Sequence, residues 1–145
     1  MVSPRQLRIR LMSSGVRMFL MDWPSVLALW SLFWQSNPAM EPQFQRAYSE
    51  LWFMPDKHGE RRFCVGELCY MGEKTPVAFI NGRHRTCLLS QFMTAVPISA
   101  KCSLYRRKEF APCIIRQITK EEYFQLPDLP VYPPAFLTNL KRAKS

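Results

Sequence analysis

The chain has 145 residues, 48% of them apolar, and a formal net charge of +9 from 20 Lys and Arg against 11 Asp and Glu. That length suits one domain with a real core, and the apolar fraction excludes a largely disordered chain. The positive excess points to a polyanionic partner: nucleic acid, a nucleotide or an acidic protein surface.

Residues 1–14 carry Arg5, Arg8 and Arg10 with little apolar patterning and read as a flexible basic arm, ahead of a single domain over 15–138. Residues 16–21 predict a first strand. Asp22 or Ser25 then caps a helix whose Val26, Leu29, Trp30 and Phe33 share one face, and Pro38 closes it. That aromatic-rich face reads as a core stripe. It is also the richest apolar run, yet it falls well short of the roughly 20 residues that span a bilayer. Arg17 interrupts the one candidate core of a secretory signal. A second, shorter helix is expected over 41–51, with Phe44, Tyr48 and Leu51 on one side, followed by a loop at 55–59.

Residues 63–70 predict a strand that turns back through 71–75 to pair with 77–80 as a hairpin. Val96-Pro97-Ile98 reads as the next strand, with Pro97 at its start or on an edge. Arg61 and Arg62, and then Arg106, Arg107 and Lys108 beside Tyr105, are the candidate DNA contacts. Residues 113–118 predict another strand, and Thr119 to Glu122 a capped helical turn. The proline-rich run after Leu126 is expected to be extended, laid over the domain or offered to a partner, and 139–145 to be a basic tail. The five cysteines (Cys64, Cys69, Cys87, Cys102 and Cys113) are odd in number and suit buried free thiols in a reducing cytoplasm. Cys64 and Cys69, with His58 upstream, lack the short-pair spacing of a usual zinc site.

The stretch between the hairpin and Val96 carries the chemistry. Asn81-Gly82 breaks the strand, because glycine tolerates the positive φ of a tight turn. Arg83, His84 and Arg85 follow, and then Leu88, Leu89, Phe92 and Met93 at helical spacing over 87–95, with Thr86 as the expected cap. A helix entrance offers free N–H groups and the positive end of the dipole, and arginines add bidentate donors. Asn81, Gly82, Arg83, His84, Arg85 and Thr86 are therefore the candidate phosphate-binding residues. Arg83 and Arg85 are the candidates for stabilising charge on a reacting phosphate, and His84 for proton transfer. Glu60, Glu67 and Glu73 are the carboxylates that a hairpin brings toward this loop, as candidate ligands of a divalent metal. Sequence does not choose among them.

The order strand, Gly82-Arg83-His84-Arg85, helix, strand resembles the signature of the ParB/sulfiredoxin-like fold. INGRHRTCLL followed by VPI, with ITKEEYFQLPDLP near the end, is similar to the plasmid fertility-inhibition family, over roughly residues 60–130. Gly82, His84 and Arg85 match the Gly, His and Arg of the sulfiredoxin loop. Arg83 stands where sulfiredoxins carry a reactive cysteine, so sulfinic acid repair is not expected. The resemblance implies one α/β (mixed α+β) domain with a small mixed sheet and flanking helices. It further implies binding of ATP or another nucleotide with a divalent metal such as magnesium, hydrolysis of that nucleotide, and DNA cleavage. The implied role is inhibition of conjugative and oncogenic DNA transfer through a type IV secretion system, in the cytoplasm of a bacterial donor cell. Two non-catalytic alternatives stay open: a protein that occludes a secretion ATPase or coupling protein, and one that coats the transferred DNA.

Overall fold

The computed structural model describes residues 5–11, 14–43, 50–55, 58–120 and 122–126. Nine strands form two sheets. In chain order they are β1 (Arg5–Arg10), β2 (Val16–Asp22), β3 (Phe53–Pro55), β4 (Arg61–Cys64), β5 (Glu67–Cys69), β6 (Ala78–Asn81), β7 (Ala95–Lys101), β8 (Ile114–Ile118) and β9 (Tyr123–Leu126). One sheet runs β3-β4-β1-β9 and the other β6-β5-β7-β2-β8. Both are mixed: β1 with β4 and β5 with β7 are parallel pairs, and the remaining pairs are antiparallel. The architecture is therefore mixed α+β, as expected from sequence.

The expected basic arm is, over residues 5–10, a strand. It lies inside a sheet, held by β4 on one side and β9 on the other. Leu7 and Ile9 are buried and alternate with the half-buried Arg8 and Arg10. The arginines masked a two-residue period that is the ordinary sign of a half-buried strand. The described residues of 119–122 are not helical either. In place of a capped helical turn, the carbonyl of Glu122 accepts from Ile9 N–H, and its carboxylate takes both terminal nitrogens of Arg116 at 2.9 Å. Strand β9 follows directly and pairs with β1 from Arg5↔Leu126 to Arg8↔Tyr123. An open strand edge outcompeted a local capping preference.

The predicted strand over 63–70 is two strands, one in each sheet. Val65 N–H donates to the Arg10 carbonyl of the first sheet, while the Gly66 carbonyl accepts from Ser99 N–H of the second. The chain crosses between sheets at that dipeptide. The expected hairpin is present as β5 antiparallel to β6, with Glu67 opposite Asn81. In β7, Pro97 pairs with Leu20 of β2, and β5 reaches only Ser99 and Ala100. Pro97 thus lies where β7 has one strand neighbour, which accommodates its missing N–H.

Helix α1 (Trp23–Trp34) is capped by Asp22, whose carboxylate accepts from Ser25 N–H at 3.2 Å. It buries Trp23, Val26 and Trp30, and the Trp30 ring meets Trp34 and Phe79 edge-on at centroid distances of 4.7 and 4.8 Å. The aromatic stripe is core. Leu7, Ile9, Phe53 and Phe63 of the first sheet belong to the same buried cluster as Phe19, Leu68 and Ile98 of the second, so one core serves both. Of the expected helix over 41–51, residues 44–49 lie outside the described residues. Glu50–Trp52 is a single 3₁₀ turn leading into β3. The basic tail over 139–145 and the proline-rich run after Leu126 also lie outside them. No helix among the described residues is long and apolar enough to cross a membrane.

Candidate functional site

Helix α2 (Arg83–Leu89) begins four residues earlier than the sequence suggests, and its cap is Gly82, not Thr86. Gly82 has φ of 76°, the left-handed region that glycine enters freely. Thr86 sits a turn inside the helix, where both its N–H and its hydroxyl donate to the Gly82 carbonyl at 2.9 and 2.7 Å. Helix α2 ends at Leu89, leaving Phe92 and Met93 in the turn before β7. Arg83, His84 and Arg85 therefore occupy the first turn of a seven-residue helix, too short for much of a macrodipole. Positive charge at this site comes chiefly from side chains.

These three side chains line a pocket of about 250 Å³ together with Asn81, Gly82, Phe79, Ile80, Met40 and Trp52. Arg83 reaches across to the 3₁₀ turn Pro38–Met40, donating to the Ala39 carbonyl at 2.6 Å. His84 Nε2 lies 3.1 Å from Gln43 Oε1 and 3.4 Å from the Arg83 guanidinium. The shorter contact fits a proton on Nε2 donated to Gln43. Burial, then the neighbouring Arg83 charge, lowers the His84 pKa below its ordinary value, so the imidazole favours its neutral, base-competent form.

Arg85 is the most telling member. It donates to Asn81 Oδ1 at 3.1 Å, its Nε is buried with no acceptor, and no carboxylate pairs with it among the described residues. Burial lowers its pKa, the expected sign for a cation withdrawn from water without a counter-ion. A guanidinium left so is arranged for an anion that arrives from outside.

The carboxylate candidates are not gathered here. Glu60 accepts from Arg8 at 2.9 Å and from the Tyr123 hydroxyl, against the first sheet. Glu67 is buried in β5, and Glu73 lies in the β5–β6 turn. No described carboxylate lines the pocket, and no group of three His, Cys, Asp or Glu able to hold a metal occurs among the described residues. The pocket does not fit a metal held by the protein. The DNA candidates divide similarly: Arg61 and Arg62 lie on β4, and Arg106, Arg107 and Lys108 follow the short helix α3 (Cys102–Tyr105). Arg107 is engaged by Glu109 and stacks on Tyr70, 3.6 Å from the ring centroid.

Cys64, Cys87 and Cys113 are buried as expected, Cys69 is half-buried, and Cys102 is exposed, contrary to expectation. Sequence reasoning did not assign Trp52 or Met40 to the site. Both reach it from turns more than 25 residues upstream of α2, and no local pattern signals that. No protein-family model, no curated protein and no solved structure matches the chain.

Proposed function

We propose that the chain is a plasmid-encoded inhibitor of conjugative and oncogenic DNA transfer, of ParB/sulfiredoxin-like fold, that binds and hydrolyses a nucleotide and cleaves DNA. The fertility-inhibition resemblance supplies the biological role, with type IV secretion components, nucleotide and DNA as partners. The observation that carries the chemistry is Arg85: a half-buried guanidinium with an unsatisfied Nε, on the wall of a pocket it shares with Arg83 and His84.

In this reading a terminal phosphate enters between the two arginines, which neutralise charge as it develops. His84, neutral before binding, accepts a proton from the attacking water. The pocket is smaller than the roughly 300–1,000 Å³ of typical small-molecule sites. It therefore takes the phosphate end, with Trp52, Met40 and Ile80 offering apolar surface to the rest of the nucleotide. A divalent cation enters only as the counter-ion carried by the nucleotide's own phosphates, and no step is assigned to it.

The test is His84→Ala. It keeps the fold and most nucleotide affinity, loses turnover by roughly 10²–10⁴-fold, and loses most suppression of DNA transfer from a donor cell. A variant without turnover that suppresses transfer as well as the parent removes the enzyme reading and leaves an occluding protein.

A further inference from the structure

A second cavity, of about 530 Å³, opens where the two sheets meet at the end of β1 and the start of β2. Its walls are Arg10 and Leu11 from β1 and just beyond, Val16, Arg17 and Met18 from β2, and Gln117 to Lys120 at the end of β8. Three cations, Arg10, Arg17 and Lys120, line it, and no described carboxylate does. None of the three has a carboxylate partner among the described residues. Arg17 lies over the Tyr105 ring, 5.2 Å from its centroid. Arg17 and Lys120 are exposed and Arg10 is half-buried.

Two features select the ligand class. Positive charge from Arg10 on β1, Arg17 on β2 and Lys120 just beyond β8, with no carboxylate partner among the described residues, suits a chain of phosphates better than one compact anion. Half-buried Leu11 and Val16 line the same cleft and offer apolar contact to the faces of unstacked bases, which a duplex keeps inside. We propose that this cleft binds a single strand of nucleic acid, with Arg10, Arg17 and Lys120 on its phosphates. The inference rests on the reading of the chain as one that handles nucleic acid, but not on any chemistry at His84.

The experiment is fluorescence anisotropy of a labelled 15-mer oligothymidylate with the full chain in EDTA, so that no metal-dependent cleavage intervenes. Arg17→Gln with Lys120→Gln, both at exposed positions, is expected to weaken binding at least tenfold. It should also flatten the slope of log affinity against log salt, by about 0.7 for each phosphate that is no longer neutralised. An oligouridylate of the same length separates DNA from RNA as the source of the strand, and tight binding of either supports the cleft. Three results overturn the proposal: equal affinity of the double variant at unchanged melting temperature, equal or tighter binding of a duplex, or full competition by polyglutamate. Should the double variant melt early, Arg17→Lys with Lys120→Arg must restore both melting and affinity, and failure to restore affinity alone also overturns it. Loss of binding by the double variant with turnover at the other pocket intact separates this inference from the enzymatic one.

Discussion

Gly66 and Gly82 meet backbone to backbone: a methyl group on Gly82 would lie 2.5 Å from Gly66 Cα. One on Gly66 would strike Thr86 Oγ1 and come within 3.0 Å of the Gly82 carbonyl. This contact seats the first turn of α2 on the point where the chain passes from one sheet to the other. It fixes where Arg83 and Arg85 begin, so the geometry of the pocket depends on two missing side chains.

Gly66→Ala is expected to cost about 1–3 kcal/mol, the usual range for overpacking a core. Gly82→Ala should cost more, because its left-handed backbone adds about 1–2 kcal/mol for any residue with a Cβ. Urea denaturation measures both. Losses below about 0.5 kcal/mol in both variants would show that α2 can shift without consequence.

Arg85→Met keeps the length of the side chain and removes a half-buried charge that no described carboxylate pairs. Stability should stay about level, since the lost hydrogen bond to Asn81 Oδ1 is offset by removing a cation that no described carboxylate pairs and a buried Nε without an acceptor. Phosphate affinity should fall in the same variant. A clear drop in melting temperature would instead make Arg85 a structural residue and weaken the case for an incoming anion.

The His84 pKa lies below its ordinary value of 6.5 in the folded chain, by burial and then by Arg83. The unfolded chain therefore binds this proton first as pH falls. The contribution is constant above about 6.5, and stability declines as pH drops from there toward the folded pKa. His84→Gln should lose that part of the acid dependence. In an NMR titration of the parent imidazole, the midpoint should lie below 6.5 and move upward when inorganic phosphate is added, because an anion favours the imidazolium. A midpoint that phosphate leaves in place would argue that the anion binds elsewhere.

Burial pushes the Cys87 thiol up to about 12 and the Cys113 thiol up to about 11, the latter helped by Asp22. The thiolate is the reactive form. Cys102, exposed on α3, should be alkylated first by iodoacetamide in the native protein, with Cys87 and Cys113 protected until unfolding. Mass-mapped alkylation that reaches Cys87 as fast as Cys102 would contradict the packing of α2.

What the sequence disclosed was mostly local. The strand before Asn81, the turn at Gly82 and the Asp22 cap follow from residue chemistry within a few positions. The early start of α2 was not legible, because Arg83 to Arg85 look like loop until Gly66 supplies a seat for Gly82. Strand β1 was hidden by its arginines, although Leu7 and Ile9 alternate with them. The split of 63–70 between two sheets has one visible trace, Gly66, whose reason is a contact 16 residues away. Trp52 joins the pocket through tertiary packing alone.

The central claim is that Arg83 and Arg85 form a site for nucleotide phosphate, and calorimetric titration of ATP tests it most directly. Charge-assisted hydrogen bonds contribute about 1.5–3 kcal/mol, so each arginine removed should weaken binding by about tenfold or more. The parent is expected to bind, and Arg83→Gln with Arg85→Met to lose nearly all measurable heat while melting as the parent does. Equal affinity in parent and double variant would contradict it, and the first turn of α2 would then be a basic surface and nothing more.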